Sequence, residues 1–193
     1  PFFGIVLIAA LLLDRVFGDP HTPYHPVAAI GRFIGWWGRP SKYRPALQRA
    51  AGALFWVVTV SLFTLPFLIV EYSAPWWLYL LAGPILLKST FAWRSLEEHA
   101  LCVEEALSEG SDKGQSAVSM MVSRNCASLS DEGVRSAAYE SVAENLVDSI
   151  VAPLFWFALL GLPGAAMYRA ANTMDAMLGY RDERERLGWF SAR

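Results

Sequence analysis

The chain has 193 residues, 54% hydrophobic and 18% charged, with a formal net charge of −2 and a mean hydropathy of +0.32. Soluble domains carry about 25% charged residues, so the composition points to a membrane protein. No basic stripe with interleaved aromatics marks a nucleic-acid partner, and the absence of a Walker A sequence, glycine fingerprint, serine elbow or zinc pattern excludes a P-loop site and several hydrolase classes.

In chain order, residues 2–13 form an apolar run that reads as part of a membrane helix. It lacks the basic flank and small-residue cleavage site of a signal peptide. Residues 14–49 are an irregular loop rich in Pro and Gly, with a short amphipathic piece at 27–37. Residues 50–70 are uncharged and long enough to cross ~30 Å of hydrocarbon as a helix, kinked at Pro66. Residues 74–87 form a second span. Trp36, Trp37, Trp76, Trp77 and Trp93 mark the edges of these runs, as an interfacial aromatic belt would. Arg15, Arg32, Arg39, Lys42, Arg44 and Arg49 lie in the first loop, while the link 71–75 has no basic residue. The positive-inside rule therefore places the loop and the polar stretch 94–148 in the cytoplasm and the link outside. That predicts a multi-pass protein of the cytoplasmic (inner) membrane, with Cys102 and Cys126 as free thiols. Helices are expected over 91–107, ended by Gly110, and over 113–122.

Ser130, followed by Asp131 and Glu132, starts a helix that runs from polar into apolar sequence towards Gly161. The apolar part, 150–162, rises only about 20 Å, too little to cross. The Gly-Leu-Pro-Gly at 161–164 reads as a turn. The pattern predicts a re-entrant helical hairpin that returns to its side of entry, with Asp148 level with 174–178 and Glu144 level with Arg181. The fold class is all-α, a polytopic membrane domain of three parts: spans and loop (1–92), cytoplasmic helices (93–148), and a polar-lined hairpin with its tail (149–193).

Glu140, Glu144 and Asp148 recur every four residues, which stacks them on one helix face. Such a stripe is either a solvated face or a site for a hard cation such as Mg²⁺; at the apolar border the cost of desolvation favours function for Asp148. Asn145 and Asn172 lie beside these acids. Arg169, Asn172 and Asp175 share a face at three-residue spacing, and Arg181 closes the hairpin. Arg suits phosphate or carboxylate, though pairing with Asp175 is the plainer role for Arg169. In the first loop, Asp14, Asp19, His21 and His25 are open between structure and substrate contact; Pro20, Pro23 and Pro26 forbid a helical His–His site. His99, amid acids, reads as a satisfied surface residue ahead of a base.

Several stretches carry a resemblance. They are DRVFGDP at 14–20, HPV at 25–27 with Gly31-Arg32, RSLEEHA at 94–100, ESVAENLVDSIVAPLFWF at 140–157, YRAANTMDAMLGYRDER at 168–184 and GWFSAR at 188–193. In this order they resemble the integral-membrane adenosylcobinamide-phosphate synthases of cobalamin biosynthesis, the CobD/CbiB family. The resemblance implies ATP- and Mg²⁺-dependent joining of the adenosylcobyric acid carboxylate to an amino-alcohol phosphate such as aminopropanol phosphate. It implies a lipid bilayer as surroundings and other cobalamin-pathway enzymes as partners. Glu144, Asp148 and Asp175 are the expected catalytic acids, with Glu140, Glu144 and Asp148 as Mg²⁺ ligands. Arg124, Asn145, Arg169, Asn172, Arg181, Asp19 and His25 are expected at substrate and phosphate. The chain departs from the family at Asn125, where an Asp is usual, and at Leu146 and Ser149, where Thr and Gly are common. The family continues past Arg193 with further helices, so this is expected to be its N-terminal part. The rival readings are an ampE-like regulatory membrane protein and a corrinoid scaffold or transport component.

Overall fold

A computed structural model describes residues 2–19, 25–122 and 125–193, and among these every regular element is helical. The α-helices are α1 (Phe3–Phe17), α2 (Pro26–Trp37), α3 (Gln48–Ser73), α4 (Trp76–Lys88), α5 (Trp93–Glu109), α6 (Ser111–Val118), α7 (Asp131–Leu146) and α8 (Ala152–Leu178). A 3-10 turn covers Pro40–Lys42, and one π-helical stretch, Val147–Val151, joins α7 to α8.

The apolar helices pack side by side. α1 and α4 run parallel: Phe2 stacks on Trp76 at one end, with centroids 6.5 Å apart, and Asp14 meets Lys88 at the other, 3.1 Å away. Val6, Ala10, Phe67, Tyr79, Leu87, Phe157 and Leu162 fill one core between α1, α3, α4 and α8. A second core joins Ile30, Ile34 and Trp37 of α2 to Val60, Ala170, Met174, Leu178 and Leu187. α5, α6 and α7 close a third core of their own around Val103, Leu107, Val118 and Val134. Ser130 caps α7 as its sequence predicts, its Oγ accepting from Gly133 N at 3.2 Å. Gly110, at φ 147°, ends α5. α6 stops at Val118, four residues short of the expected 122, and the chain turns there.

α8 breaks at Gly161, where φ is 71° and ψ −159°. A side chain is strained in this conformation. The break reverses the chain: Tyr168 Oη donates to Asp148 Oδ1 at 3.2 Å, although the two are twenty residues apart in sequence. The chain therefore folds back, with a first arm at 152–160 and a second at 162–178. Asp148 bonds Tyr168 and also lies near enough to Asp175 for the two carboxylates to repel. The reversal occurs at Gly161 alone rather than across 161–164.

Glu71, the last charged residue of α3, explains where the reversal stands. Its Oε2 accepts from Leu162 N at 3.0 Å. The carboxylate thus caps the N-terminus of the second arm and meets its dipole. From there the second arm runs antiparallel to α3. At the far end the Leu187 carbonyl passes so close to Gly52 that a Cβ there would lie 1.9 Å away. The hairpin turn is thus level with the Glu71 end of α3.

Among the described residues two helical stretches are long and apolar enough to cross a membrane, 48–73 and the joined α7–α8 unit at 131–178. Only 22% of the apolar window of the first is buried against the rest of the chain, so most of its apolar surface faces outward. Ile5, Ile8 and Leu12 of α1, Leu81 and Ile85 of α4, and Phe155 and Leu159 of the first arm are exposed as well.

Gly161→Ala is expected to lower stability by about 1–3 kcal/mol for the strained backbone alone, since its Cβ also meets the Glu71 carboxylate at 2.9 Å. Glu71→Ala is expected to cost about 1 kcal/mol through the lost cap, and Glu71→Gln less. Thermal unfolding in detergent, followed by circular dichroism, checks the order.

Candidate functional site

A cluster of charges forms where α1 ends. Asp14 is buried, and its two oxygens serve two elements. Oδ2 accepts from Arg94 N at 2.9 Å, capping the first turn of α5. Oδ1 pairs with Lys88 Nζ, the buried last residue of α4. Lys88 also donates to Asp19 Oδ1. Arg94 reaches back to the end of α1, donating through Nη1 to Val16 O at 2.9 Å and Arg15 O at 3.3 Å. Gly18 turns with φ 61° against the Arg94 side chain. The DRVFGD and RSLEEHA sequences are thus two halves of one tie. The Arg15–Glu97 pair beside it is solvent-exposed and contributes little.

Asp19 faces more than Lys88. His25 Nε2 lies 3.9 Å from its Oδ1, while His25 Nδ1 accepts from Val27 N at 3.3 Å and so caps α2. An acceptor nitrogen is an unprotonated one. Burial pushes the His25 pKa below its ordinary 6.5; Asp19 opposes this, and Lys88 and Arg169 reinforce it.

The second tie is a backbone one. In an α-helix the Ser149 carbonyl would accept from residue 153, but Pro153 has no N–H. The segment is π-helical instead, and Ser149 O accepts from Ala92 N, at the start of α5, at 3.0 Å.

These ties enclose a cavity of about 320 Å³ between the loop, α5, α7 and the second arm, lined by Asp19, Ala92, Ser95, Leu96, His99, Met120, Met121, Ser141, Asn145, Ser149 and Arg169. Asn145 Nδ2 donates to Ser141 O at 2.8 Å. Arg169 Nε is buried and has no hydrogen-bond partner among the described residues. On its other side Arg169 borders an apolar cavity of about 180 Å³, lined by Val27, Ile30, Phe63, Phe67 and Leu86 among others.

The predicted site residues therefore divide. Asp19, Asn145 and Arg169 share the cavity, and His25 approaches it through Asp19. Asp148 is exposed and held by Tyr168. Asp175 and Arg181 line a separate polar cavity of about 220 Å³ with Tyr180, Glu185 and Trp189. Glu140 and Glu144 are on the exposed face of α7, and Asn172 is half-buried on the second arm. Among the described residues no three His, Cys, Asp or Glu side chains converge as metal ligands, so the acidic stripe does not fold into a three-carboxylate cluster. Arg124 lies outside the described residues, as does His21. Asn125 Oδ1 accepts from Ala127 N at 3.0 Å, a turn role that needs no charge. Cys102 and Cys126 form no disulfide. Sequence reasoning missed Lys88 and Glu71, although each is an isolated charge at the end of an apolar run, which itself demands a partner.

The chain matches the CobD/Cbib protein family over residues 7–193. It belongs to the CobD/Cbib family. It is 46% identical over 191 residues to a probable cobalamin biosynthesis protein CobD of Thermococcus kodakarensis, covering 98% of this chain and 64% of the relative. A Methanothermobacter thermautotrophicus protein of the same name is 42% identical over 192 residues, covering 97% of this chain and 62% of the relative. The cobalamin biosynthesis protein CobD of Rhodobacter capsulatus is 38% identical over 198 residues, covering 99% of this chain and 63% of the relative. The chain thus spans a little under two thirds of the CobD relatives it matches. No solved structure matches it.

Two outcomes are expected. Lys88→Met strands Asp14 as a buried unpaired charge and should cost about 3–5 kcal/mol; Asp14→Asn should cost less, since an amide oxygen can still accept from Arg94 N. Chemical denaturation of the three proteins checks this. The second concerns pH. The folded His25 binds its proton less readily than the unfolded chain, so between the lowered value and 6.5 the unfolded state holds more protons. Stability should fall as pH drops below about 6.5, and His25→Gln should flatten that slope in melting curves.

Proposed function

We propose that this chain forms the membrane-embedded part of an adenosylcobinamide-phosphate synthase. In this reading it joins the carboxylate of adenosylcobyric acid to an amino-alcohol phosphate, using ATP and Mg²⁺, at the cytoplasmic side of the membrane. The observation that carries the reading is the cavity at Arg169. It offers a guanidinium with an unpartnered buried nitrogen, a carboxylate in Asp19 and an amide in Asn145 around one small space. An amino-alcohol phosphate is a small zwitterion, and this set complements both of its ends. Membership of the CobD/Cbib family supports the same pathway.

Each group has a role that its position permits. Arg169 holds the phosphate. Asp19, itself fixed by Lys88, orients the ammonium. Asn145 is placed to bond the incoming carboxylate. Asp148 and Glu144, four residues apart on an exposed helix face, would hold Mg²⁺, which commonly takes one or two carboxylates and completes its shell from phosphates and water. The metal supplies charge neutralisation at the phosphoryl group to be displaced. Asp175 and Arg181 belong to the neighbouring cavity, where Arg181 could accept a further phosphate. The corrin ring far exceeds 320 Å³, so only its reacting side arm enters.

The bilayer is part of the reading. The exposed apolar faces of α1, α3, α4 and the first arm form its contact. The basic residues of the first loop and the helices α5–α7 mark the cytoplasmic side, and the hairpin turn at Gly161 reaches inward to the level of Glu71.

Complementation tests the function. The full-length protein is expressed in a host lacking its own synthase, and growth is compared on cobyric acid and on cobinamide. Wild type should restore growth on cobyric acid, while Arg169→Met and Asp148→Asn, inserted at wild-type levels, should reduce turnover at least about 100-fold, the scale of one lost charge-stabilising group. Failure of wild type to rescue would overturn the reading.

A further inference from the structure

His99 lines the same cavity as Arg169 and Asp19. Its Nδ1 lies 2.6 Å from the Ser95 carbonyl oxygen, one helical turn earlier. A carbonyl only accepts, so Nδ1 carries the hydrogen and the lone pair of the neutral ring is on Nε2. Among the described residues Nε2 has no protein partner. The ring is therefore satisfied on one side only. Its tautomer is set by the backbone of its own helix, and that helix is held by Asp14 at Arg94 N and by Ser149 at Ala92 N.

We infer that His99 is the general base of amide formation, taking the proton from the ammonium of the amino-alcohol phosphate. This rests on the reaction proposed above. Amide formation needs a neutral amine, and an alkylammonium near pH 7 holds its proton. A cavity-lining histidine with one nitrogen held by the backbone and the other without a protein partner suits that transfer. The charged side chains that share its cavity are Asp19 on the loop and Arg169 on the second arm; the α7 side contributes only Ser141 and Asn145. On α5 itself, Glu98 is engaged by Arg94.

The step balances as follows. An N–H of the ammonium gives its proton to Nε2. The freed nitrogen lone pair attacks the carbonyl carbon of the carboxylate, already activated by ATP as an acyl phosphate, and the C–N bond forms. The C–O bond to phosphate then breaks with its electron pair leaving on phosphate, which takes the second nitrogen proton. His99 returns its proton to water.

The test uses the full-length protein in nanodiscs with adenosylcobyric acid, aminopropanol phosphate, ATP and Mg²⁺. His99→Ala should lower kcat about 10²–10⁴-fold, the usual worth of a general base, with KM for the amino-alcohol phosphate unchanged. Imidazole added to the buffer should restore part of the turnover to the variant and none to wild type. His99→Gln, which keeps polarity and volume without a basic nitrogen, should be equally slow, and it separates chemistry from folding if the alanine variant is unstable. Turnover of either folded variant at the wild-type rate, or a loss that imidazole does not relieve in His99→Ala, overturns the inference alone. A wild-type protein that forms no amide overturns the proposed reaction and the inference with it.

Discussion

The buried pair of Asp14 and Lys88 is the constraint on which the rest of the site depends. Asp14 lies in the last turn of α1 and Lys88 is the last residue of α4, each preceded by apolar chain. Neither charge is tolerable alone at that depth. Together they fix where two parallel helices stop, and the remaining carboxylate oxygen fixes where α5 begins. Asp19, His25 and Arg94 then take their places around them. A site of this kind does not arise from one motif. It arises because three helix ends must meet wherever the charges can be satisfied.

Much of the helical plan was legible in the sequence. The uncharged run at 50–70, the Ser130 cap, the Gly110 stop and the reversal near 161 all follow from local chemistry, and the structure places each within a few residues. The π-helical stretch at 147–151 was not legible. That stretch follows from Pro153 only once the free Ser149 carbonyl is seen to have a partner at Ala92. Long-range partners of this kind leave no periodicity in a single sequence.

The site was legible in part. Asp19, Asn145 and Arg169 were identifiable as polar residues against apolar sequence, and the structure brings them to one cavity. Spacing on a helix shows which side chains share a face and not what that face meets, so the exposure of Glu140 and Glu144 on α7 was not legible. The place of His99 was not legible either: its neighbours in sequence are acids, whereas the cavity it lines is shared with Ser141, Asn145 and Arg169.

Arg169 divides two compartments that differ in lining. The cavity in front of it is lined largely by polar groups, and the one behind it by Val27, Ile30, Phe63 and Phe67. A charge with water on all sides is screened in every direction. A charge backed by hydrocarbon is screened only from the front, and its field is concentrated there. The partition therefore acts as an electrostatic lens: the same guanidinium exerts a longer reach into the polar chamber than it would on an open surface. Replacing the apolar lining behind it with polar side chains would weaken that reach without moving a single atom of the residue.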